Sequence, residues 1–153
     1  MFRVLVATDG SSFALHATEF VAKLCSQIKD SEVTIIYVID PGVVSAAAMT
    51  PTGVPIPSAL MLPQELERAA ASALEATKEK VGSGAKSVTT RVERGKPADM
   101  IVKAAHEGKF DMIALGSSGM GHISGLLLGS VSDRVMHHAK VPVLIVRPAG
   151  DGK

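Results

Sequence analysis

The stretch GSSGMGHISGLLLGSVSDR, residues 116–134, places glycine at 116, 119, 121, 125 and 129, directly after an apolar run and before a helical pattern. Glycine adopts backbone conformations closed to other residues and lets a ligand approach the main chain. The first turn of a helix leaves unpaired N–H groups and a partial positive charge. A chain that brings glycines to such a turn can therefore grip an anion through its backbone. Ser130 adds a hydroxyl donor at the same place. Phosphate is the chemistry this pattern suits.

Two familiar phosphate motifs do not describe it. A Walker loop requires G-x-x-x-x-G-K-[ST]; Gly116 and Gly121 have the spacing, but His122 and Ile123 stand where lysine and a hydroxyl residue belong. The dinucleotide fingerprint G-x-G-x-x-G is nearly met at Gly119, Gly121 and Ser124. It follows the wrong strand, however, and no acidic residue lies at the required distance beyond it. The pattern that fits is G-x-x-G, nine residues, then G-S, at Gly116, Gly119, Gly129 and Ser130.

The other groups with chemical potential are scattered. Asp9 ends the first apolar run, where it serves either a ligand or a helix cap. His137 and His138 close a helix, a position that favours imidazolium, and His16 and His106 have no companions at metal spacing. For His122, inside the glycine segment, nucleotide contact and plain exposure are equal expectations. Cys25, the one cysteine, falls in an apolar helical stripe and reads as a buried thiol. Phosphoryl transfer needs a base, a metal ligand and a cation on the transferred group. Residues 116–129 contain no lysine or arginine. Asp9 holding Mg²⁺ through water and Arg134 turned toward the phosphates do not complete a catalytic set, so no catalytic residue is assigned.

The elements that must position these groups alternate between short β-branched runs and longer helical patterns, as in a parallel sheet covered on both faces. Strands are expected at residues 3–8, 33–39, 87–93, 112–115 and 143–146, with helices after Ser11 or Ser12 and over 64–81, 98–106 and 130–139. The first helix carries Phe13, Ala17, Phe20, Val21, Leu24 and Ile28 in one apolar stripe. Residues 40–63, with five prolines, form one long loop. The reading is a single α/β domain over 1–153, an open doubly wound five-stranded parallel sheet of order 3-2-1-4-5 with helices on both faces. In that order the reversal falls between strands one and four, which places Asp9 and Gly116 at the switch point where such sheets bind ligands.

The glycine pattern, together with Thr8-Asp9-Gly10-Ser11, the stretch from Tyr37 to Pro41, Gly95-Lys96-Pro97 and the closing PVLIVRP, resembles the universal stress protein family over nearly the whole chain. The resemblance implies an adenine nucleotide, ATP or else AMP or a cyclic nucleotide, with Mg²⁺ as a further expectation. Ala7, Asp9 and the backbone of Val38 would then meet the nucleoside, with Gly116 near the ribose. Gly119, Met120, Gly121, Gly129, Ser130 and Val131 would surround the phosphates, and Ser118 and His122 complete the candidate set. It also implies a homodimer through the last strand, residues 142–147, which is apolar and lies at a sheet edge.

Bulk composition narrows the function further. Sixteen basic and fifteen acidic residues leave a formal net charge of +1, so no field draws the chain to nucleic acid or an anionic membrane. No run of about 18 apolar residues occurs, and a cytoplasmic location is expected. The leading expectation is a nucleotide-binding stress-response module acting on an unidentified protein partner with little or no catalysis. The alternatives are a weak Mg²⁺-dependent ATPase or kinase-like enzyme, and a dimeric interaction protein with a vestigial or cyclic-nucleotide pocket.

Overall fold

The computed structural model describes residues 1–42, 62–119 and 128–148. Among them run β1 (Phe2–Ala7), α1 (Ser12–Ser26), β2 (Ser31–Ile39), α2 (Leu62–Val81), β3 (Ser87–Arg94), α3 (Pro97–Glu107), β4 (Met112–Gly116), α4 (Ser130–His138) and β5 (Val143–Val146). The strands form one sheet of order β3-β2-β1-β4-β5, and every pairing is parallel. The order expected from the sequence is the order found.

Burial follows from this order. β1 and β2 are covered on both faces, so their side chains are apolar almost without interruption. Successive residues of β1 serve opposite layers. Leu5 and Ala7 join Ile36, Ile113 and Leu115 under Ala98, Ile101, Ala104 and Ala105 of α3 and Val135 of α4. Val4 and Val6 join Val33, Ile35 and Ala114 under Val21 and Cys25 of α1 and Leu74 and Val81 of α2. Helices α1 and α2 thus share one face and α3 and α4 the other. The edge strand β3 mixes half-buried and exposed positions with none fully buried, and β5 at the opposite edge is half-buried throughout.

The α1 stripe differs from the expected one. Ala14, Ala17, Thr18, Val21 and Cys25 face the core, whereas Phe20 is 48% exposed and Phe13, Leu24 and Ile28 are only partly covered. The reason is proximity: α1 lies so close to β4 that small residues must form the contact. A Cβ on Gly116 would stand 2.6 Å from the carbonyl carbon of Phe13. Cys25 is buried as expected, and that burial raises its thiol pKa against the weaker opposing pull of a hydrogen bond with Ser31. Of the long loop expected at residues 40–63, residues 43–61 lie outside the described residues. No helix among the described residues is long and apolar enough to cross a membrane.

Candidate functional site

At the carboxyl ends of β1 and β4 the sheet order reverses, and the helices that leave these two strands depart to opposite faces. The connections cannot fill the space between them. A cavity of about 630 Å³ results, bordered by Ala7, Thr8, Asp9 and Gly10 after β1, by Ile36 to Val38 of β2, and by Leu115, Gly116, Ser118 and Gly119 after β4. Gly129 through Ser132 at the start of α4 close another side, and Ala69, Ser72, Ala73 and Ala76 of α2 form a wall. The volume suits a small-molecule ligand of drug or nucleotide size.

The β1–α1 turn is rigidly built. Gly10 has φ +79°, and a Cβ there would lie 3.0 Å from the Cβ of Ala73, so both conformation and space call for glycine. Its amide donates to Thr8 Oγ1 at 3.2 Å, and Thr8 Oγ1 pairs with Thr77 Oγ1 at 2.9 Å in a buried contact. Ser11 is the cap of α1, accepting from the Ala14 amide, and its own amide donates to Asp9 Oδ1 at 2.9 Å. Asp9 therefore braces the cap without being the cap. Its second oxygen faces Gly119, where a Cβ would stand 2.5 Å away. The carboxylate is thus held at the cavity wall by a turn on one side and by the absence of a side chain on the other.

Across the cavity, the β4–α4 connection offers backbone donors. The Gly129 amide donates to Ser117 O at 2.7 Å, and Ser132 Oγ donates to Gly116 O at 2.7 Å, which ties the start of α4 to the end of β4. Gly129 is the cap residue and, having no side chain, makes no side-chain cap hydrogen bond of its own. The first intrahelical acceptor bond to it comes from Asp133 N. Such a terminus is suited to an anion. Tyr37 lines the same space, and its phenol is held above its ordinary range, first by burial and then by the negative charge of Asp9.

Of the residues singled out from the sequence, Ala7, Asp9, Val38, Gly116, Ser118, Gly119, Gly129, Ser130 and Val131 all border this one cavity. Met120, Gly121 and His122 lie outside the described residues. Arg134 points its Nε at Asp99 Oδ1, 3.1 Å away. His137 and His138 close α4 with each Nδ1 2.8 Å from a carbonyl one turn back. No three metal-ligating side chains converge among the described residues. The sequence reading missed the α2 wall and the Thr8–Thr77 pair. Thr77 alone carried a signal, as a hydroxyl in an otherwise apolar stripe.

Residues 1–147 match the model of the Universal stress protein family. The chain belongs to that family. A universal stress protein of Methanocaldococcus jannaschii is 31% identical over 147 residues, covering 95% of this chain and 81% of the relative. Universal stress protein UspA from Lactobacillus plantarum superposes with a TM-score of 0.76 at 25% identity, covering 95% of this chain and 97% of that one. A universal stress protein solved in complex with cAMP superposes with a TM-score of 0.64 at 27% identity, covering 95% and 96%. The switch-point cavity thus lies in a universal stress protein fold that extends over nearly the whole chain.

Proposed function

We propose that this universal stress protein binds an adenine nucleotide, ATP in the first instance, in the cavity between β1 and β4, and acts as a stress-response regulatory homodimer with little or no turnover. The observation that carries the reading is the convergence on one cavity of Gly116, Gly119 and Gly129, the start of α4 behind a cap residue without a side chain, and the Asp9 carboxylate. Ala7, Val38 and Asp9 are assigned to the nucleoside, Gly116 and Ser118 to its sugar side, and Gly119, Gly129, Ser130 and Val131 to the phosphates. Met120 and Gly121 are assigned to the phosphates from the family resemblance alone, and His122 is kept as a candidate nucleotide contact. A relative of the same fold binds cAMP, which supports an adenine ligand.

A Mg²⁺ ion carried by the phosphates fits the donor set, since such ions take one or two carboxylates together with phosphate oxygens and water. Asp9 is the one carboxylate among the described residues of the cavity wall and would hold the ion through water. Turnover is expected to be slow because that wall offers no lysine or arginine to balance charge on a transferred phosphoryl group. Binding energy would then drive a conformational response read by a protein partner. The homodimer reading rests on β5, an edge strand of four apolar residues whose outer backbone groups another copy could pair.

Calorimetry with ATP, AMP and cAMP tests the proposal. Wild type is expected to bind at least one of them, and Gly119→Val, whose side chain would occupy the space of the Asp9 carboxylate, is expected to weaken binding at least tenfold. Unchanged affinity in this variant, or no uptake of any adenylate by wild type, would refute it.

A further inference from the structure

Ser132 is the third residue of α4, lines the cavity and is buried at 4% exposure. A hydroxyl residue inside a helix commonly turns back to a carbonyl of the preceding turn. Thr18 and Thr77 do so, donating to Ala14 O and Ala73 O four residues back. Ser132 does otherwise: its Oγ donates to Gly116 O, 16 residues earlier, at 2.7 Å. A serine hydroxyl has one proton, and this one is given to Gly116 O, so Ser132 has none left to donate to a ligand.

The join between α4 and β4 has two points. Gly129 N donates to Ser117 O at 2.7 Å and Ser132 Oγ donates to Gly116 O, so donors one turn apart meet carbonyls of consecutive residues. One bond alone would fix a distance and leave a pivot, whereas two fix the direction of the first turn. Beyond Ser132, the buried residue of α4 is Val135, a turn further on. The two sides of the join are unequal. Gly116 is held in the sheet by its pairing with Val146, and the Ser117 amide donates to Val146 O at 3.0 Å. Loss of the Ser132 hydroxyl would therefore release the helix start and leave the strand end in place. The amides of Ser130, Val131 and Ser132 precede the first intrahelical bond, from Asp133 N to Gly129 O at 3.0 Å, and all three residues border the cavity. They have no carbonyl of α4 to meet, and a hydrogen bond weakens steeply as its angle closes, so their aim decides what the helix start offers an anion.

We infer that Ser132 is a positioning residue for the phosphate side of the cavity: by binding Gly116 O, its hydroxyl holds the first-turn amides of α4 in the direction in which they meet a phosphate. The inference rests on the nucleotide reading above and goes beyond it by naming a side chain that acts on phosphate through the helix start rather than by contact.

The test is calorimetry of adenosine, AMP and ATP with the full chain, comparing wild type with Ser132→Ala and Ser132→Thr. Wild type is expected to bind AMP at least about tenfold more tightly than adenosine. Ser132→Ala keeps every backbone N–H and is expected to lose about five- to tenfold for AMP and ATP, while adenosine changes less than about twofold. Ser132→Thr retains a hydroxyl and is expected to keep the AMP to adenosine ratio within about twofold of wild type. Should Ser132→Ala melt before binding can be read, Ser132→Cys, near serine in size and a weak donor, is expected to show the same selective loss. Equal losses for adenosine and AMP in Ser132→Ala mark a merely structural role and overturn this inference, leaving the nucleotide site standing. An unchanged ratio, a threonine variant as impaired for AMP as the alanine variant, or a wild type that binds adenosine as tightly as AMP overturns it too. Failure of adenosine, AMP and ATP alike to bind wild type overturns both.

Discussion

The two ends of this sheet are built on opposite principles. At the amino ends of the strands, charges are matched locally. The Arg3 amide donates to Asp111 Oδ2 at 2.8 Å, the Arg3 guanidinium sits 4.9 Å over the Phe110 ring, and Lys86 pairs with Asp30 at 2.7 Å. At the carboxyl ends, polar backbone is left facing a cavity, small residues replace large ones, and Asp9 is the only charged group on its described wall. One end closes and the other stays open. Both ends cap the same strands, so the open end owes its shape to the two helices departing on opposite faces and to the glycines that let them do so. Stability at that end depends on close approach of backbone, whereas the closed end relies on exposed ion pairs that contribute little.

This comparison is sharpest at two glycines three residues apart. Gly116→Ala is expected to have the largest effect, because its Cβ would meet the Phe13 backbone at 2.6 Å and only a shift of α1 could relieve it. A loss of about 3 kcal/mol, or roughly 6 to 12 °C in Tm, is the expected outcome of a thermal melt. Gly119→Ala meets only the far end of the Asp9 side chain, which can turn aside, and should lower Tm by less than about 3 °C. Equal melting of the two variants would remove the distinction between a glycine that packs a helix and one that spares a carboxylate.

Thr77→Val probes the wall of the open end. It removes the buried partner of Thr8 Oγ1, which then keeps only the Gly10 amide, and should cost about 1 to 2 kcal/mol. In a double-mutant cycle, adding Thr8→Val should cost less than its single effect, since both ends of one bond are then gone. Strict additivity would show that the pair is incidental to the turn.

The closed end should give the smallest effect. Lys86→Met is expected to move Tm by less than about 2 °C, because the pair with Asp30 is exposed. Its pH dependence has a definite sign. Lys86 lowers the Asp30 pKa through a hydrogen bond, so the carboxylate's contribution is present above its unfolded value and lost as pH falls through the depressed folded value. Asp30 raises the Lys86 pKa, so the ammonium's contribution is present below its unfolded value and lost as pH rises through the folded one. The difference between wild type and Lys86→Met should therefore persist across neutral pH and vanish in strong acid and strong alkali. A large effect, or one that grows in acid, would show that the closed end is more than a matched surface.

Local pattern was enough for the elements, and it supported the strand order and the switch point that the sheet pairings then established. Uninterrupted apolar runs at β1 and β2 state that both faces are covered, and the spacing of Gly116, Gly119, Gly129 and Ser130 marks a loop proposed to meet an anion, because glycine and helix-start chemistry are properties of a few consecutive residues. What local pattern left open depends on neighbours distant in the chain. That Phe20 lies outside while Ala14 and Ala17 lie inside was decided by how closely α1 approaches β4, a distance that no heptad of α1 contains. That Ala69, Ser72, Ala73 and Ala76 wall the cavity was decided by packing α2 over the β1–α1 turn. That Gly119 stands beside Asp9, 110 residues earlier in the chain, was decided by the parallel pairing of β1 with β4. Periodicity specifies which face of an element is apolar; only the assembled layers specify how near two faces come, and the cavity is made of those distances.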